Sequence, residues 1–149
     1  KAGEVQGQPR QHARLINLLG VKQVVVGVNK MDCDVAKYSK ERYDEVANEM
    51  RNVLAKVGFK KDRIKASIPI LPISGWKGDN LLKKSDNMKW WTGVKVTTTV
   101  GKAEEVQVHT LLDALNNMVK PPARDEKKIM RMPVSGIYKI KSVGDVLAG

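Results

Sequence analysis

Two short runs carry the chemical content of this sequence. Asn29-Lys30-Met31-Asp32 follows a β-branched stretch, and Ser74-Gly75-Trp76 follows a second apolar stretch. A carboxylate held in place, as Asp32 would be, accepts two hydrogen bonds from a ring that presents N1–H and N2–H₂ side by side. Guanine does so, whereas adenine lacks that pair of donors and would leave the carboxylate unpaired. Each charge-assisted bond contributes about 1.5–3 kcal/mol, so such a site rejects the unmatched base by about 10⁴-fold. Asn29 would tie the loop and reach the N7 edge, and the aliphatic stem of Lys30 would cover one face of the ring. Ser74 would brace Asp32, the Gly75 N–H would donate to guanine O6, and Trp76 would close the other side of the base. Taken alone, Ser74-Gly75-Trp76 reads as a turn leading into a core tryptophan.

These runs work together only if the elements before them are neighbouring parallel strands. Val21 to Val28 is a short β-branched run of the kind that is buried on both faces of a parallel sheet. Ile68-Pro69-Ile70-Leu71-Pro72-Ile73 is the second strand, and its two prolines place it at an edge or make it irregular. Between them, Ser39 caps a helix whose apolar positions run Tyr43, Val46, Ala47, Met50, Val53, Leu54 and Val57 before Gly58 ends it. Tyr38 and Tyr43 occupy the staple positions at its start. A right-handed strand–helix–strand unit brings both strand ends to one edge of the sheet, where ligands of α/β folds sit.

The flanking chain is read in the same terms. Pro9 opens a helix with Ala13, Leu15, Ile16, Leu18 and Leu19 on its apolar side and Gly20 as its stop. Lys60 to Lys65 reads as a basic linker. Val94 to Val100 pairs with Val106 to Val108 as a hairpin. Thr110 caps a last helix, with Asp113 three residues on and Leu111, Leu112, Leu115, Met118 and Val119 on one side, ended by Pro121-Pro122. Ala123 to Lys128 is a linker, and Ile129 to Met132, Ile137 to Ile140 and Val146 to Ala148 are strand-like pieces of an all-β unit. Residues 1–122 are thus expected to form one α/β domain, and 123–149 the linker and start of a β-domain.

The chain has 149 residues, with 27 Lys plus Arg against 16 Asp plus Glu, a formal charge of +11. Its apolar content of 42% suits a globular domain and argues against a disordered chain. No apolar run approaches the roughly 18 residues of a membrane span. The single cysteine, Cys33, leaves no disulfide framework, so a reducing, cytoplasmic setting is expected and Cys33 is a bystander thiol. The positive charge suggests an anionic partner, RNA or phosphate. The basic clusters Lys60 to Lys65 and Lys120 to Lys141 are solvated faces or phosphate contacts. Trp90 and Trp91 are read as packing residues, and His12 and His109 as helix-edge residues. The chain opens at Lys1 without Met and stops at Gly149 after a strand-like run, as expected of an internal segment of a longer protein.

Val21-Lys22-Gln23 through Val28-Asn29-Lys30-Met31-Asp32 resembles the G domain of the translation elongation factor 1-alpha family. So does Pro72-Ile73-Ser74-Gly75-Trp76 with Gly78-Asp79-Asn80 after it, and Met132 to Ile140 resembles the start of that family's second, β-barrel domain. The stretch Lys141 to Gly149, with Ser135-Gly136 and the Trp90-Trp91 region, is most similar to the elongation factor-like protein of that family. The resemblance implies the C-terminal half of a P-loop GTPase domain with a parallel sheet, followed by the first strands of a barrel. It also implies GTP or GDP as ligand and delivery of aminoacyl-tRNA to the ribosomal A site in the cytoplasm, with no membrane partner and with an exchange factor as a further partner. The sequence holds no Gly-x-x-x-x-Gly-Lys-Ser/Thr and no Asp-x-x-Gly run, so no catalytic residue is assigned here. The family's Mg²⁺ ligands and catalytic histidine are expected outside this chain.

Two other readings compete. A related release-factor or ribosome-rescue GTPase would share both loops and differ in upstream switch sequence. A basic RNA-binding module without nucleotide chemistry would account for the charge and leave the paired loops as coincidence.

Overall fold

A computed structural model of the chain describes residues 8–122, 127 and 129–149. A pair of parallel strands organises the α/β part. Strand β1 (Val26–Val28) pairs with β2 (Ile70–Pro72) in the register Val26 with Ile70 and Val28 with Pro72. Ile73 N–H donates to the Val28 carbonyl, so alternation turns the Pro72 nitrogen to the side away from β1, where no ladder donor is needed.

The strand expected over Val21 to Val28 is ladder-paired only from Val26. Helix α3 (Lys61–Ser67) runs almost up to β2, and residues 21–25 have no ladder partner among the described residues. Their polar groups are satisfied otherwise. Arg63 donates to the Val21 and Lys22 carbonyls, Thr99 Oγ1 donates to Lys22, and Gln23 exchanges two bonds with the Lys120 backbone. Helix α3 itself replaces the expected linker at Lys60 to Lys65. Its lysines and arginine are good helix formers, and Ile64, 4% exposed, anchors it to the core.

Helix α2 (Lys40–Val57) follows its sequence signals closely. Ser39 Oγ accepts from the Arg42 N–H at 3.2 Å, and Gly58 closes the helix at φ +114°. Helix α1 (Gln8–Leu18) packs on α2 through Ala13 and Ile16, and Asn17 Nδ2 donates to the Val57 carbonyl. Leu15, Leu18 and Leu19 stay exposed, contrary to the single buried face expected of them. Contact with α2 uses the narrow side formed by Ala13 and Ile16, which turns the three leucines outward.

The hairpin forms as expected from β3 (Val94–Thr97) and β4 (Glu105–Val108), antiparallel with Val94 opposite Val108. Thr110 and Asp113 make a reciprocal capping box at the start of α4 (Leu111–Asp113). The helix then continues with π-helical geometry over Ala114–Met118. That wider winding buries Ala114 and Met118 and leaves Leu112 and Leu115 exposed, so the expected apolar side is only partly used. The main core gathers Val28, Met31, Tyr43, Ala47, Leu71, Met88, Trp91, Val96, Val108 and Met118 around the strand pair, α2 and the hairpin.

Residues 123–126 and 128 of the expected linker lie outside the described residues. Beyond them, β5 (Gly136–Ile140) and β6 (Gly144–Ala148) form an antiparallel hairpin. The strand expected at Ile129 to Met132 is absent, since its residues have no ladder partner among the described ones.

Candidate functional site

The parallel register of β1 and β2 puts Asn29, one residue past β1, beside Ser74 and Gly75 just past β2. The two loops are laced together at the backbone, where Met31 N–H donates to the Ile73 carbonyl at 3.2 Å. Met31 itself is 1% exposed, so the buried side chain between Lys30 and Asp32 nails the first loop to the core.

Side chains add two cross-links. Ser74, fully buried, donates from Oγ to Asp32 Oδ1 at 2.6 Å and accepts from the Lys77 N–H at 3.0 Å. Asp32 is half-buried, and its Oδ2 takes no hydrogen bond among the described residues. Asn29 Oδ1 accepts from the Lys30 N–H at 2.7 Å and from the Gly75 N–H at 2.9 Å. The Gly75 N–H, expected to face a base oxygen, is therefore engaged by Asn29 in this structure. Lys30 is exposed and sits at φ +63°, a left-handed turn that sets Met31 inward and Asp32 back toward Ser74. Trp76 is 87% exposed, so it is not the core tryptophan that the motif alone would suggest.

The two loops rest on a polar bracket that sequence reasoning left without a role. Asp79, 9% exposed, accepts from Tyr38 Oη at 2.9 Å on Oδ2, and from Ser85 Oγ at 2.5 Å and Asn87 Nδ2 at 3.1 Å on Oδ1. Its carbonyl accepts from the Ser74 N–H. Asn80, fully buried, donates to the Pro72 carbonyl and accepts from the Ser85 N–H. The Gly78-Asp79-Asn80 run was the signal available in sequence, and only the fold shows what it binds. Burial, joined by the hydrogen bond to Asp79 and the nearby negative charge, pushes the Tyr38 hydroxyl above its ordinary pKa and keeps it a proton donor.

Trp90 and Trp91 pack against Tyr43 at ring separations of 5.3 and 5.6 Å, and their N–H groups donate to the Tyr38 and His109 carbonyls. They are packing residues, as expected. Cys33 is half-buried against the main core. His12 is exposed on α1, and His109 sits just before the Thr110 cap. No cluster of His, Cys, Asp and Glu suited to a metal ion occurs among the described residues. No described helix is long and apolar enough to cross a membrane.

Parallel strands joined through a helix, with polar loops at their carboxyl ends, form the edge at which open α/β domains hold their ligands. Residues 1–121 match the family described as the elongation factor Tu GTP binding domain, and the chain belongs to that family. It is also similar to solved structures of sup35 complexed with GMPPNP, with 28% identity and a TM-score of 0.59, and with GDP, with 28% identity and a TM-score of 0.60. Each match covers 97% of this chain and 31% of the other, so the chain spans under a third of the length of those relatives.

Proposed function

We propose that this chain supplies the guanine-recognition part of a translational GTPase, with Asn29, Lys30, Asp32, Ser74, Gly75 and Trp76 as the residues around the base. The observation that carries this reading is the Ser74–Asp32 bond of 2.6 Å between the two strand-end loops. It fixes one carboxylate oxygen, while the other takes no hydrogen bond among the described residues, so both oxygens keep lone pairs for the paired N1–H and N2–H₂ groups. In this reading the Asp32 carboxylate accepts from the base. Asn29 releases or shares the Gly75 N–H so that it meets O6, and Lys30 and Trp76, both exposed, close over the two ring faces. Membership in the family and the guanine nucleotides held by the similar structures support GTP and GDP as the ligands. The bound nucleotide supplies the hydrolysable phosphates. Nothing in this chain is assigned to cleave them, and Mg²⁺ ligands are placed in other parts of the parent protein.

On the same grounds, the parent delivers aminoacyl-tRNA to the ribosomal A site in the cytoplasm, with a nucleotide exchange factor as a further partner. The net charge of +11 suits the RNA partners. The Trp90-Trp91 segment and the 141–149 tail support a place beside the elongation factor-like protein, with residues 1–122 in the GTP-binding domain and 123–149 leading into a barrel.

The test is Asp32→Asn in the full-length protein. An amide presents a donor where guanine also presents one, so GTP affinity is expected to fall by about 10³-fold or more. Xanthosine triphosphate, whose C2 carbonyl accepts, is expected to gain. Unchanged GTP binding would remove Asp32 from the site.

A further inference from the structure

The polar bracket under the loops does more than its distance from the base suggests. Tyr38 occupies the left-handed region at φ +57°, directly after Lys37 at φ +44°. For residues with a Cβ each such conformation costs about 1–3 kcal/mol and persists only where the surroundings over-determine it. Here they do. The Tyr38 N–H donates to the Met31 carbonyl at 2.8 Å, its carbonyl accepts from Trp90 Nε1 at 2.8 Å, and its hydroxyl donates to Asp79.

The first of these bonds holds the residue next to Asp32, and the last reaches the residue whose carbonyl holds Ser74. Asp79 is a carboxylate 9% exposed that forms no ion pair among the described residues. A buried charge without a cation is costly unless several donors converge on it. Three do, from Tyr38, Ser85 and Asn87. An apolar contact would fill the same space at less expense, but would not fix the separation of the loops to a fraction of an ångström.

We propose that Tyr38 and Asp79, with Ser85 behind them, form a clamp that sets the distance between the Asp32 loop and the Ser74 loop, and so act as positioning residues for base selectivity. This deepens the guanine reading and rests on it. Neither residue touches the base. The clamp acts by keeping Ser74 Oγ on Asp32 Oδ1, so that Asp32 Oδ2 stays aimed at the exocyclic amine. When the clamp is loosened, the contact that weakens most is the one that distinguishes guanine from hypoxanthine, which lacks that amine.

The experiment compares GTP and ITP affinities and the GDP release rate in the full-length protein for wild type, Tyr38→Phe, Ser85→Ala and Tyr43→Phe. Tyr43 is a control for plain loss of stability. Its hydroxyl donates to the Ile70 carbonyl at 2.7 Å in the same core, and that bond belongs to neither the Asp32–Ser74 pair nor the Asp79 bracket. Tyr38→Phe is expected to speed GDP release about tenfold, the worth of one charge-assisted hydrogen bond, and to shrink the GTP-over-ITP preference several-fold. Ser85→Ala is expected to move both in the same direction by less, and Tyr43→Phe to leave the preference unchanged. Wild-type preference in both clamp variants would overturn the clamp alone, as would a loss equal to that of Tyr43→Phe. A wild-type protein that binds GTP no better than ITP and ATP would overturn the guanine reading, and the clamp with it.

Discussion

A Cβ built on Gly75 would lie 3.5 Å from Asn29 Oδ1, an ordinary contact, and no positive φ reserves the position for glycine. The free fold therefore tolerates alanine there, and only a base approaching the Gly75 backbone would object. Gly75→Ala is expected to leave the melting temperature within a degree or two while weakening GTP binding measurably; calorimetry and nucleotide titration on one preparation check both halves. Tyr43 makes a prediction about pH. Burial pushes its hydroxyl up to about 12, above the value near 10 of an unfolded tyrosine. The neutral phenol is favoured in the fold, so its contribution is complete below pH 10 and is lost as pH rises from 10 to 12. Chemical denaturation at pH 9 and at pH 11 should show wild type losing more stability than Tyr43→Phe over that interval.

At the scale of elements, Gly93 is a position where glycine is required. It sits at φ +85°, and a Cβ would meet the Val108 carbonyl oxygen at 2.7 Å and His109 Nδ1 at 2.6 Å. Gly93→Ala forces the start of β3 away from the end of β4 and is expected to cost about 2 kcal/mol or more, read as a lower denaturation midpoint. The elements legible in sequence were those with local punctuation. Ser39 and Gly58 bound α2, Thr110 and Asp113 cap α4, and the valines of β3 and β4 alternate. Helix α3 was hidden because its charges hid Ile64, the one apolar side chain buried in it. The shortened β1 was hidden because its length depends on where α3 stops. The Ser74–Asp32 contact could be anticipated, since two parallel strands force their ends together. The Tyr38–Asp79 bond spans 41 residues and leaves no periodic trace, so only the folded chain displays it.

At the scale of the whole molecule, the chain is a basic segment that spans 31% of the similar sup35 structures and matches the GTP-binding domain family over residues 1–121. The contribution proposed for it is selectivity for a base. The most direct measurement is therefore competition for fluorescent GDP on the full-length protein by unlabelled GDP, IDP and ADP. IDP, which lacks the amine proposed to meet Asp32, is expected to compete about 10- to 100-fold less well than GDP, and ADP about 10⁴-fold less well. Equal displacement by ADP would contradict a guanine pocket at the ends of β1 and β2.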